Sequence, residues 1–339
     1  MIPKTETELD ALLSAPSPAD AEAMAKLEGP LLILGAGGKM GPTLAARAML
    51  AMKKAGSSNR VIAVSRFSDP AGRAWLDGLG VETIACDLLA PGALESLPDS
   101  PNVIFMAARK FGSTGSPWLT WSANALLPGL AARRYKTSRI VAFSTGNVYA
   151  FTPVDSGGPV ESTPLDPVGE YAWSALARER LFEQAALEGA KVALVRLNYA
   201  IDLRYGVLHD LGRKILNGTP IDLAMGHVNV IWQGDANSAA IRLLQHAASP
   251  ALPVNITGLE TLRVRWLATE LGKRLGKEPV LTGEEAPTAL LSNAAFSARL
   301  LGPPATPIEW MLDATASWLT SGGRSLGKPT KFEVRDGAF

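Results

Sequence analysis

The sequence has few of the residues on which disulfide-bonded and zinc-binding proteins depend. It contains one cysteine and three histidines among 339 residues. The single cysteine, Cys86, excludes an internal disulfide and is typical of a reducing cytoplasm. With so few cysteine and histidine ligands, a structural zinc site cannot be assembled from the usual residues.

An excess of charge of one sign and long apolar runs are also missing. The 33 Lys and Arg residues nearly balance the 32 Asp and Glu residues, for a formal net charge of +1. This balance gives no electrostatic reason to expect nucleic acid or an anionic membrane as the main partner. No apolar run reaches the roughly 18 residues that a membrane-spanning helix needs. The first residues lack the basic and apolar regions of a secretion signal, so we expect a cytoplasmic protein.

The sequence does have enough apolar residues, 47%, to form a large core. Short apolar runs alternate with segments that are compatible with helices, and this alternation predicts an α/β fold with a doubly wound parallel sheet of the Rossmann type. The predicted strands are 31–34, 61–64, 82–85, 103–106, 140–143 and 192–195, and the longer predicted helices are 42–54, 119–133 and 171–188.

The remaining segments flank this alternating region, which spans 29–201. Residues 1–28 predict a helical N-terminal extension, with Ser17 as an N-cap. Residues 202–320 predict a smaller, partly helical C-terminal lobe with helices near 235–247, 263–275, 289–301 and 307–319. Within it, a strand and a helix near 228–248 are expected to return to the alternating domain. The tail, 321–339, is expected to be extended over the surface, without a core of its own.

A glycine-rich loop connects the first predicted strand to the first long helix. Glycines at this place allow a sharp turn and a close approach of the backbone to a pyrophosphate, and the helix N-terminus presents free N–H groups. We therefore predict a dinucleotide site rather than an ordinary turn, formed by Gly35, Gly37, Gly38, Lys39, Met40 and Gly41.

The next strand ends at Ser65 and Arg66, where an NAD site usually has an acidic residue. Arg66 can pair with a 2′-phosphate, so the sequence favours NADP over NAD; the alternative is that Arg66 is a solvated loop charge. After the third strand, Asp87 and Leu88 are expected near the adenine edge. Cys86 is interpreted as a buried thiol rather than a reactive one.

Several motifs share the spacing of one known family. Gly35, Gly38 and Gly41 match a G-x-x-G-x-x-G pattern. Other matches are Ala107-Ala108 after the fourth strand, Asn124 in the following helix, the segment 143–149 with its Ser-Thr and Val-Tyr pairs, and 196–198. Together, over about 29–320, they resemble the extended short-chain dehydrogenase/reductase family, the NAD-dependent epimerase/dehydratase group.

This resemblance implies roles for particular residues. Nicotinamide, bound over the glycine loop and near Ala107 and Ala108, would carry hydride. Thr145 falls on the catalytic Ser/Thr position, and Tyr171 falls on the tyrosine that exchanges a proton with the substrate oxygen. In the family a lysine four residues later lowers the pKa of that tyrosine, but here the position is Ala175.

The missing lysine has a measurable cost. A free tyrosine with a pKa of about 10 is only ~0.1% ionised at pH 7, and moving its pKa to 7 requires roughly 4 kcal/mol. Ala175 cannot supply this. Three outcomes stay open: Tyr171 acts only as an acid, another cation replaces the lysine, or the site no longer turns over.

Two cations are candidates for that replacement. Arg178 lies seven positions after Tyr171 on nearly the same helix face, but about 10 Å along the axis, which is too far for direct contact. Lys110 lies in 107–113, a segment similar to one in UDP-galactose epimerases whose lysine contacts the cofactor phosphates. We hypothesise that Lys110 holds cofactor and partly offsets the missing charge; the alternative is a solvated loop residue.

The substrate side is less sharply defined by the sequence. A lone histidine before an acid, as at His209, is more typical of a surface residue. Trp118, Trp121 and Trp232 are more typical of core packing than of a sugar-stacking wall. Candidates to contact an anionic or hydroxyl-rich substrate are Asn147, Asn198, Arg204, Tyr205, His209 and Arg213.

The function predicted from these features is an NAD(P)-dependent oxidoreductase or epimerase of carbohydrate metabolism. Its substrate would be a sugar, sugar acid or nucleotide sugar. Because Gly146 and Asn147 follow Thr145, the Thr-Asp-Glu step of sugar dehydratases is absent, which disfavours a 4,6-dehydratase. The alternative is an NAD(P)-binding protein with little or no catalysis. The resemblance also implies a homodimer formed through helices 119–133 and 171–188.

Overall fold

The structure, a computed structural model, describes residues 2–110, 115–328 and 330–338. Within them, one sheet of seven parallel strands forms the centre of the fold. From one edge to the other, its strands are Leu252–Ile256, Lys191–Leu197, Arg139–Thr145, Asn102–Phe105, Leu31–Leu34, Val61–Ser65 and Glu82–Ala85. The predicted α/β class and parallel sheet are therefore confirmed.

The first strand, Leu31–Leu34, lies between the second and the fourth strands of the chain. Leu34 pairs with Val64 on one side and with Phe105 on the other. The strand order reverses at this place, and in open α/β sheets ligands bind in the crevice outside the strand ends at such a point.

The segment near 228–248 contacts the alternating domain, because its helix, Gln233–Arg242, packs in the same core as Gly41–Lys54, but its strand does not join the seven-stranded sheet. Ile231–Trp232, inside the expected 228–248 segment, pairs with Ala200–Ile201 in a separate two-stranded ladder. The seventh sheet strand is Leu252–Ile256, which pairs with Lys191–Leu197. The reason is length: Ile231–Trp232 runs directly into a helix, whereas Leu252–Ile256 offers five residues for pairing.

Helices cover both faces of the sheet, as a parallel sheet requires. The helices that the structure describes are Glu6–Ser14, Pro18–Ala25, Gly41–Lys54, Pro70–Gly78, Ala93–Ser96, Pro117–Trp121, Leu127–Arg134, Gly169–Leu187, Val207–Asn217, Gln233–Arg242, Val264–Leu275, Ala295–Leu301 and Ile308–Thr320. Among them, none combines the length and apolar character that crossing a membrane would need. The remaining short strands are Thr152–Pro153, Ile221–Asp222, His227–Val228, Leu262–Arg263, Leu281–Thr282 and Thr288–Ala289.

The second N-terminal helix is fastened to the first helix of the sheet domain. Ser17 caps it as predicted, in a reciprocal capping box with Asp20. Asp20 also forms a buried ion pair with Arg47, at 2.6 Å, and accepts a hydrogen bond from Ser238. Because both charged groups are almost fully buried, removing either would leave an uncompensated charge.

A second core lies beneath the C-terminal half of the chain, and the tail contributes to it. Phe332 is only 1% exposed and belongs to this core, and Thr330 is equally buried. The tail is therefore not confined to the surface, because the Phe332 side chain inserts into the core of the lobe. The predicted helix at 289–301 is shorter, Ala295–Leu301, and is preceded by a short strand.

Candidate cofactor and catalytic site

The turn after the first strand is built from glycines that have no room for a side chain. Gly35 has φ +90°, and a Cβ there would lie 2.5 Å from the backbone nitrogen of Ala107. A Cβ on Gly41 would collide with the backbone of Ala36. The Gly41–Lys54 helix begins directly after this turn, with no side-chain cap and no acid in its first turn. Its N-terminus is therefore available to an anion.

Two cavities meet at this turn, of about 500 Å³ and 290 Å³. Gly35 and Gly38 line both. A Cβ on Gly38 would approach only the Gly35 carbonyl oxygen, at 3.5 Å, so the space in front of Gly38 holds no protein atoms. Among the other predicted loop residues, Gly37 lines the larger cavity, Lys39 and Met40 line the smaller, and Gly41 lines neither.

The larger cavity contains the residues predicted around the adenosine. Arg66 is exposed at its edge, and the Asp87 carboxylate accepts a hydrogen bond from the Leu89 backbone at 3.1 Å. Cys86 is partly buried, and burial raises the pKa of its thiol. The predicted residues that line this cavity are Gly35, Gly37, Gly38, Ser65, Arg66, Asp87, Leu88, Ala107 and Ala108.

The smaller cavity brings together the two residues predicted to be catalytic. Tyr171 is hydrogen-bonded to Thr145 through the side chains. The Thr145 hydroxyl also donates to Asn147 Oδ1 at 2.9 Å. Burial raises the pKa of Tyr171, and this outweighs the lowering by the charge of Arg178 and by the Thr145 hydrogen bond. At neutral pH the phenol is therefore protonated.

The lysine position is closed to any cation. Ala175 is fully buried and packs with Val148, Tyr149 and Leu176. Its replacement by a longer side chain would have to displace this small cluster. Below it, Glu179 forms a buried ion pair with Arg196 at 2.8 Å, and this pair connects the helix to the sheet.

Arg178 is closer to the reacting groups than the sequence suggested. It is 2% exposed, lines the smaller cavity, and donates to the Phe143 carbonyl at 2.7 Å and to Asn124 Oδ1 at 2.8 Å. The distance of about 10 Å along the helix axis separates the two backbones, not the ends of the side chains. Helix side chains tilt toward the N-terminus, so the long Arg178 side chain extends back toward Tyr171.

Lys110 also lines the smaller cavity. Its Nζ lies 5.8 Å from the centroid of the Tyr171 ring and 3.4 Å from the Thr330 carbonyl oxygen, to which it donates. Burial lowers the pKa of Lys110 to about 8. The side-chain amide of Asn124 holds the backbone of the preceding residue, Arg109: it accepts from the Arg109 N–H and donates to the Arg109 carbonyl, each at 2.8 Å. Residues 111–113 of the similar segment lie outside the described residues.

Asn124 sits in a single π-helical turn, Ser122–Leu126, between the helices Pro117–Trp121 and Leu127–Arg134. The sequence predicts one regular helix over 119–133, but the π turn interrupts it. π turns are frequent at functional sites. Here the turn aims the Asn124 amide at Arg109, Ser174 and Arg178 together.

Lys39 has surroundings that the sequence did not indicate. Its Nζ donates to the Ala200 carbonyl at 3.0 Å and lies 4.0 Å from the Tyr205 ring centroid. Burial lowers the pKa of Lys39 to about 7, although the charge of Asp202 opposes this. A lysine in the glycine loop is commonly a solvated residue; only the fold shows that this one is enclosed.

Arg204 and His209, two candidates for the substrate side, have structural partners instead. Arg204 is ion-paired with Asp202 and Asp10, each at 2.8 Å, and lines neither cavity, so the expected substrate contact is not supported. His209 is 3% exposed and contacts the Leu203 carbonyl and the Ser325 hydroxyl. The expectation of a surface histidine is wrong, since the tail covers it.

The other candidates divide between the cavity and the surface. Asn147, Asn198 and Tyr205 line the smaller cavity, whereas Arg213 is exposed. Trp232 is buried in the second core, as predicted, but Trp118 and Trp121 are 64% and 38% exposed. The prediction of core packing is therefore confirmed for Trp232 and wrong for Trp118 and Trp121.

The tail closes one side of the smaller cavity. Thr330 lines it and donates to the Asp210 carboxylate from both its backbone and its hydroxyl, at 2.7 Å and 2.6 Å. No sequence motif pointed to Thr330. Its position depends on Phe332 anchoring the tail in the second core.

Comparisons with known proteins agree with this geometry. The model of the NAD dependent epimerase/dehydratase family matches residues 31–220, more than half of the chain. No curated protein matches the sequence.

Solved structures with related folds are similar over most of this chain. MoeE5 in complex with UDP-glucose and NAD is 19% identical, with a TM-score of 0.70, and the match covers 87% of this chain and 99% of that one. UDP-glucuronic acid 4-epimerase from Bacillus cereus in complex with NAD is 18% identical, with a TM-score of 0.70 and coverage of 86% and 96%. UDP-glucose 4-epimerase from Thermotoga maritima with UDP-glucose is 17% identical, with a TM-score of 0.70 and coverage of 86% and 99%. At these identities the likeness shows the fold.

Proposed function

Because this chain belongs to the NAD-dependent epimerase/dehydratase family, we propose that it is an NAD(P)-dependent oxidoreductase or epimerase acting on a sugar, sugar acid or nucleotide sugar. The observation that carries the proposal is the hydrogen-bonded pair of Thr145 and Tyr171, in a cavity that opens onto the glycine turn. Solved structures of similar fold hold UDP-sugars or NAD, which supports this substrate class.

The residues present fit a dinucleotide. Gly38 leaves open space where the two cavities join, and the uncapped helix N-terminus faces the same turn. The buried Asn198 Nδ2 also lines the smaller cavity and has no hydrogen-bond partner among the described residues, which suits a polar substrate beside the dinucleotide. We assign the dinucleotide-binding domain to 29–201 together with Leu252–Ile256. The substrate lobe comprises most of 202–320 and the tail.

The cofactor would extend from the larger cavity into the smaller. The adenosine would be held by Ser65, Arg66, Asp87 and Leu88, and the pyrophosphate by the glycine turn, with Ala107 and Ala108 beneath it. Lys110 would hold phosphate, next to the Arg109 backbone that Asn124 fixes. When bound, nicotinamide supplies a hydride acceptor or donor.

The side chains of this protein would handle the proton. Tyr171, like an ordinary phenol, is neutral at neutral pH, and burial raises its pKa further, so its hydroxyl is suited to donate a proton to a substrate oxygen. Thr145 binds the same phenol and fixes its direction, and Asn147 in turn fixes Thr145. Asn147 and Asn198 would contact the substrate hydroxyls. In the reverse direction a substrate hydroxyl gives up its proton, and Tyr171 must be ionised to accept it. Burial of the phenol opposes this ionisation.

We propose that Arg66 makes NADP the preferred cofactor, although the similar structures hold NAD. Ser65 stands where an acid would repel a 2′-phosphate, and the exposed Arg66 side chain borders the same cavity. We expect NADP to bind more tightly than NAD, and Arg66→Gln to weaken NADP binding about tenfold without changing NAD binding. Titration of both nucleotides by isothermal calorimetry measures this. Tighter NAD binding by the unaltered protein would overturn the preference.

We also propose a homodimer formed by helices Leu127–Arg134 and Gly169–Leu187. These helices and the π turn before the first of them leave large apolar side chains in solvent: Leu126, at the end of the π turn, is 56% exposed, Leu130 39% and Leu181 37%. They surround a shallow cavity at Gly129. Exposed apolar patches of this kind mark protein interfaces.

The double variant Leu126→Glu/Leu130→Glu is expected to be monomeric, because two charges per chain would be buried without partners. Light scattering after size-exclusion chromatography gives the mass. Leu259→Glu is the matched control, because Leu259 is 51% exposed elsewhere on the surface. A monomeric unaltered protein, or a double variant that stays dimeric, would contradict this interface.

Turnover tests the function as a whole. The protein is incubated with NAD or NADP and a panel of free sugars, uronic acids and UDP-sugars, and products are followed by absorbance at the nicotinamide band and by NMR for epimers. Conversion of at least one member supports the proposal. Nucleotide binding without any conversion would favour instead a binding protein of the same fold. This alternative is based on Ala175, which occupies the position of the family's lysine.

A further inference from the structure

Arg178 occupies a place that no family motif assigns. Its guanidinium is 2% exposed and lines the same cavity as Thr145 and Tyr171. Two of its nitrogens donate to Phe143 and Asn124, whereas Nε, which is buried, has no hydrogen-bond partner among the described residues. Packing alone does not account for a buried cation in the same cavity as Tyr171.

The helix geometry explains how Arg178 acts where position 175 cannot. Seven residues make about two turns, so Arg178 and Tyr171 share a face of the helix. Side chains on a helix tilt toward its N-terminus, which brings a long arginine back toward Tyr171. A lysine at 175 would begin one turn closer, but that position is enclosed by Val148, Tyr149 and Leu176.

We propose that Arg178 is a positioning residue for Tyr171, supplying from two turns along the helix the positive charge that the family places four residues after the tyrosine. The proposal rests on the proposed function, because it assigns Tyr171 to proton exchange. Arg178 does not need to touch the substrate. It acts through the phenol.

Among the titratable groups around Tyr171, Arg178 is favoured as the source of the positive charge. Arg178 faces it from its own helix, Lys110 from the loop after the fourth strand, and Tyr205 from the segment before Val207–Asn217. Burial raises the pKa of Tyr171, and the charge of Arg178 is the largest influence that lowers it. The pKa of Lys110 is itself lowered to about 8, so part of that lysine is neutral near pH 8. A guanidinium remains charged throughout this range.

The hydrogen bonds of Arg178 also fix the geometry of the site. The Phe143 carbonyl belongs to the strand Arg139–Thr145, which carries Thr145. Asn124 holds the backbone of Arg109 beside Lys110. One guanidinium therefore connects the Tyr171 helix to two other segments, the strand that carries Thr145 and the loop that carries Lys110.

The test measures the pKa of Tyr171 directly, without a substrate. The protein is labelled with tyrosine carrying ¹³C at Cζ, and the Tyr171 signal, assigned with Tyr171→Phe, is followed by NMR from about pH 8 to 12. Arg178→Gln removes the charge and is expected to raise the pKa of Tyr171 by about one unit or more. Arg178→Lys keeps the charge and is expected to stay within about half a unit of the unaltered protein.

Arg180→Gln is the matched control, because Arg180 lies on the same helix but is exposed and paired with Glu183. It is expected to leave the Tyr171 pKa unchanged. If Arg178→Gln and Arg178→Lys shift it equally, or if neither shifts it, Arg178 has only a structural role and the proposal is overturned.

Folding is monitored by thermal unfolding of each variant. Should Arg178→Gln fail to fold, Arg178→Lys decides alone: a Tyr171 pKa near that of the unaltered protein supports the charge-based role, and an upward shift of about one unit or more overturns it. Failure of the proposed function is distinguishable, since it would appear as absent turnover or absent nucleotide binding while this titration still reports on Arg178.

Discussion

Replacing Tyr171 with phenylalanine is expected to lower turnover by a factor of about 10² to 10⁴ while nucleotide affinity stays the same. The phenol is the group hydrogen-bonded to Thr145 in the smaller cavity, and it carries a proton at neutral pH. Phenylalanine keeps the ring but cannot donate a proton to an oxygen. Turnover of the best substrate of the panel is compared with the dissociation constant of the nucleotide.

The control for this variant is Tyr135→Phe. Tyr135 is also buried and its hydroxyl donates to the Pro98 carbonyl at 3.3 Å, but it lines neither cavity. It is expected to retain turnover. Equal activity of Tyr171→Phe and the unaltered protein would show that another group exchanges the proton, and the catalytic assignment of Tyr171 would be abandoned.

Replacing Gly38 with valine is expected to weaken dinucleotide binding about 10- to 100-fold without unfolding the protein. A Cβ at Gly38 meets only the Gly35 carbonyl oxygen, at an ordinary contact distance of 3.5 Å. The methyl groups of valine would therefore enter the space where the two cavities join, which the pyrophosphate is proposed to cross. Calorimetric titration with NAD and NADP measures the loss, and the unfolding temperature reports on the fold.

Gly78→Val is the matched control, because Gly78 also has no close neighbour for an added Cβ but lies on the surface, far along the chain from the turn. It is expected to bind both nucleotides normally. Gly35 is unsuitable for this purpose, since its φ of +90° and the nearby Ala107 backbone make any side chain disruptive to the fold itself. Normal binding by Gly38→Val would mean that the cofactor does not cross this turn.

The sequence could predict features whose signals lie within short stretches of the chain. The glycine turn follows from a buried strand, tight spacing and a helix start within eleven residues, all of them local features. Thr145 and Tyr171 were paired by their family spacing, and the fold brings them into hydrogen-bond contact because one ends a central strand and the other begins the helix packed against it.

Residues whose surroundings are assembled from distant segments could not be predicted. Lys39 is enclosed by Ala200 and Tyr205, more than 160 positions away, and Lys110 donates to Thr330, 220 positions away. Arg204 resembles a substrate contact in sequence, yet Asp10 from the first helix neutralises it. Only Asp202, the other partner of Arg204, is close in the sequence; the remaining partners come from distant segments.

The amino-acid pattern by itself predicted the parallel sheet and the glycine turn, because periodicity and glycine placement act over a few residues, and the family spacing paired Thr145 with Tyr171. Tertiary structure alone decided which cations enter the catalytic cavity and that the tail closes it. The physical reason is that burial and electrostatic neighbours arise from the packing of segments distant in the chain, as when the Phe143 carbonyl and the Asn124 side chain hold the Arg178 guanidinium at the smaller cavity.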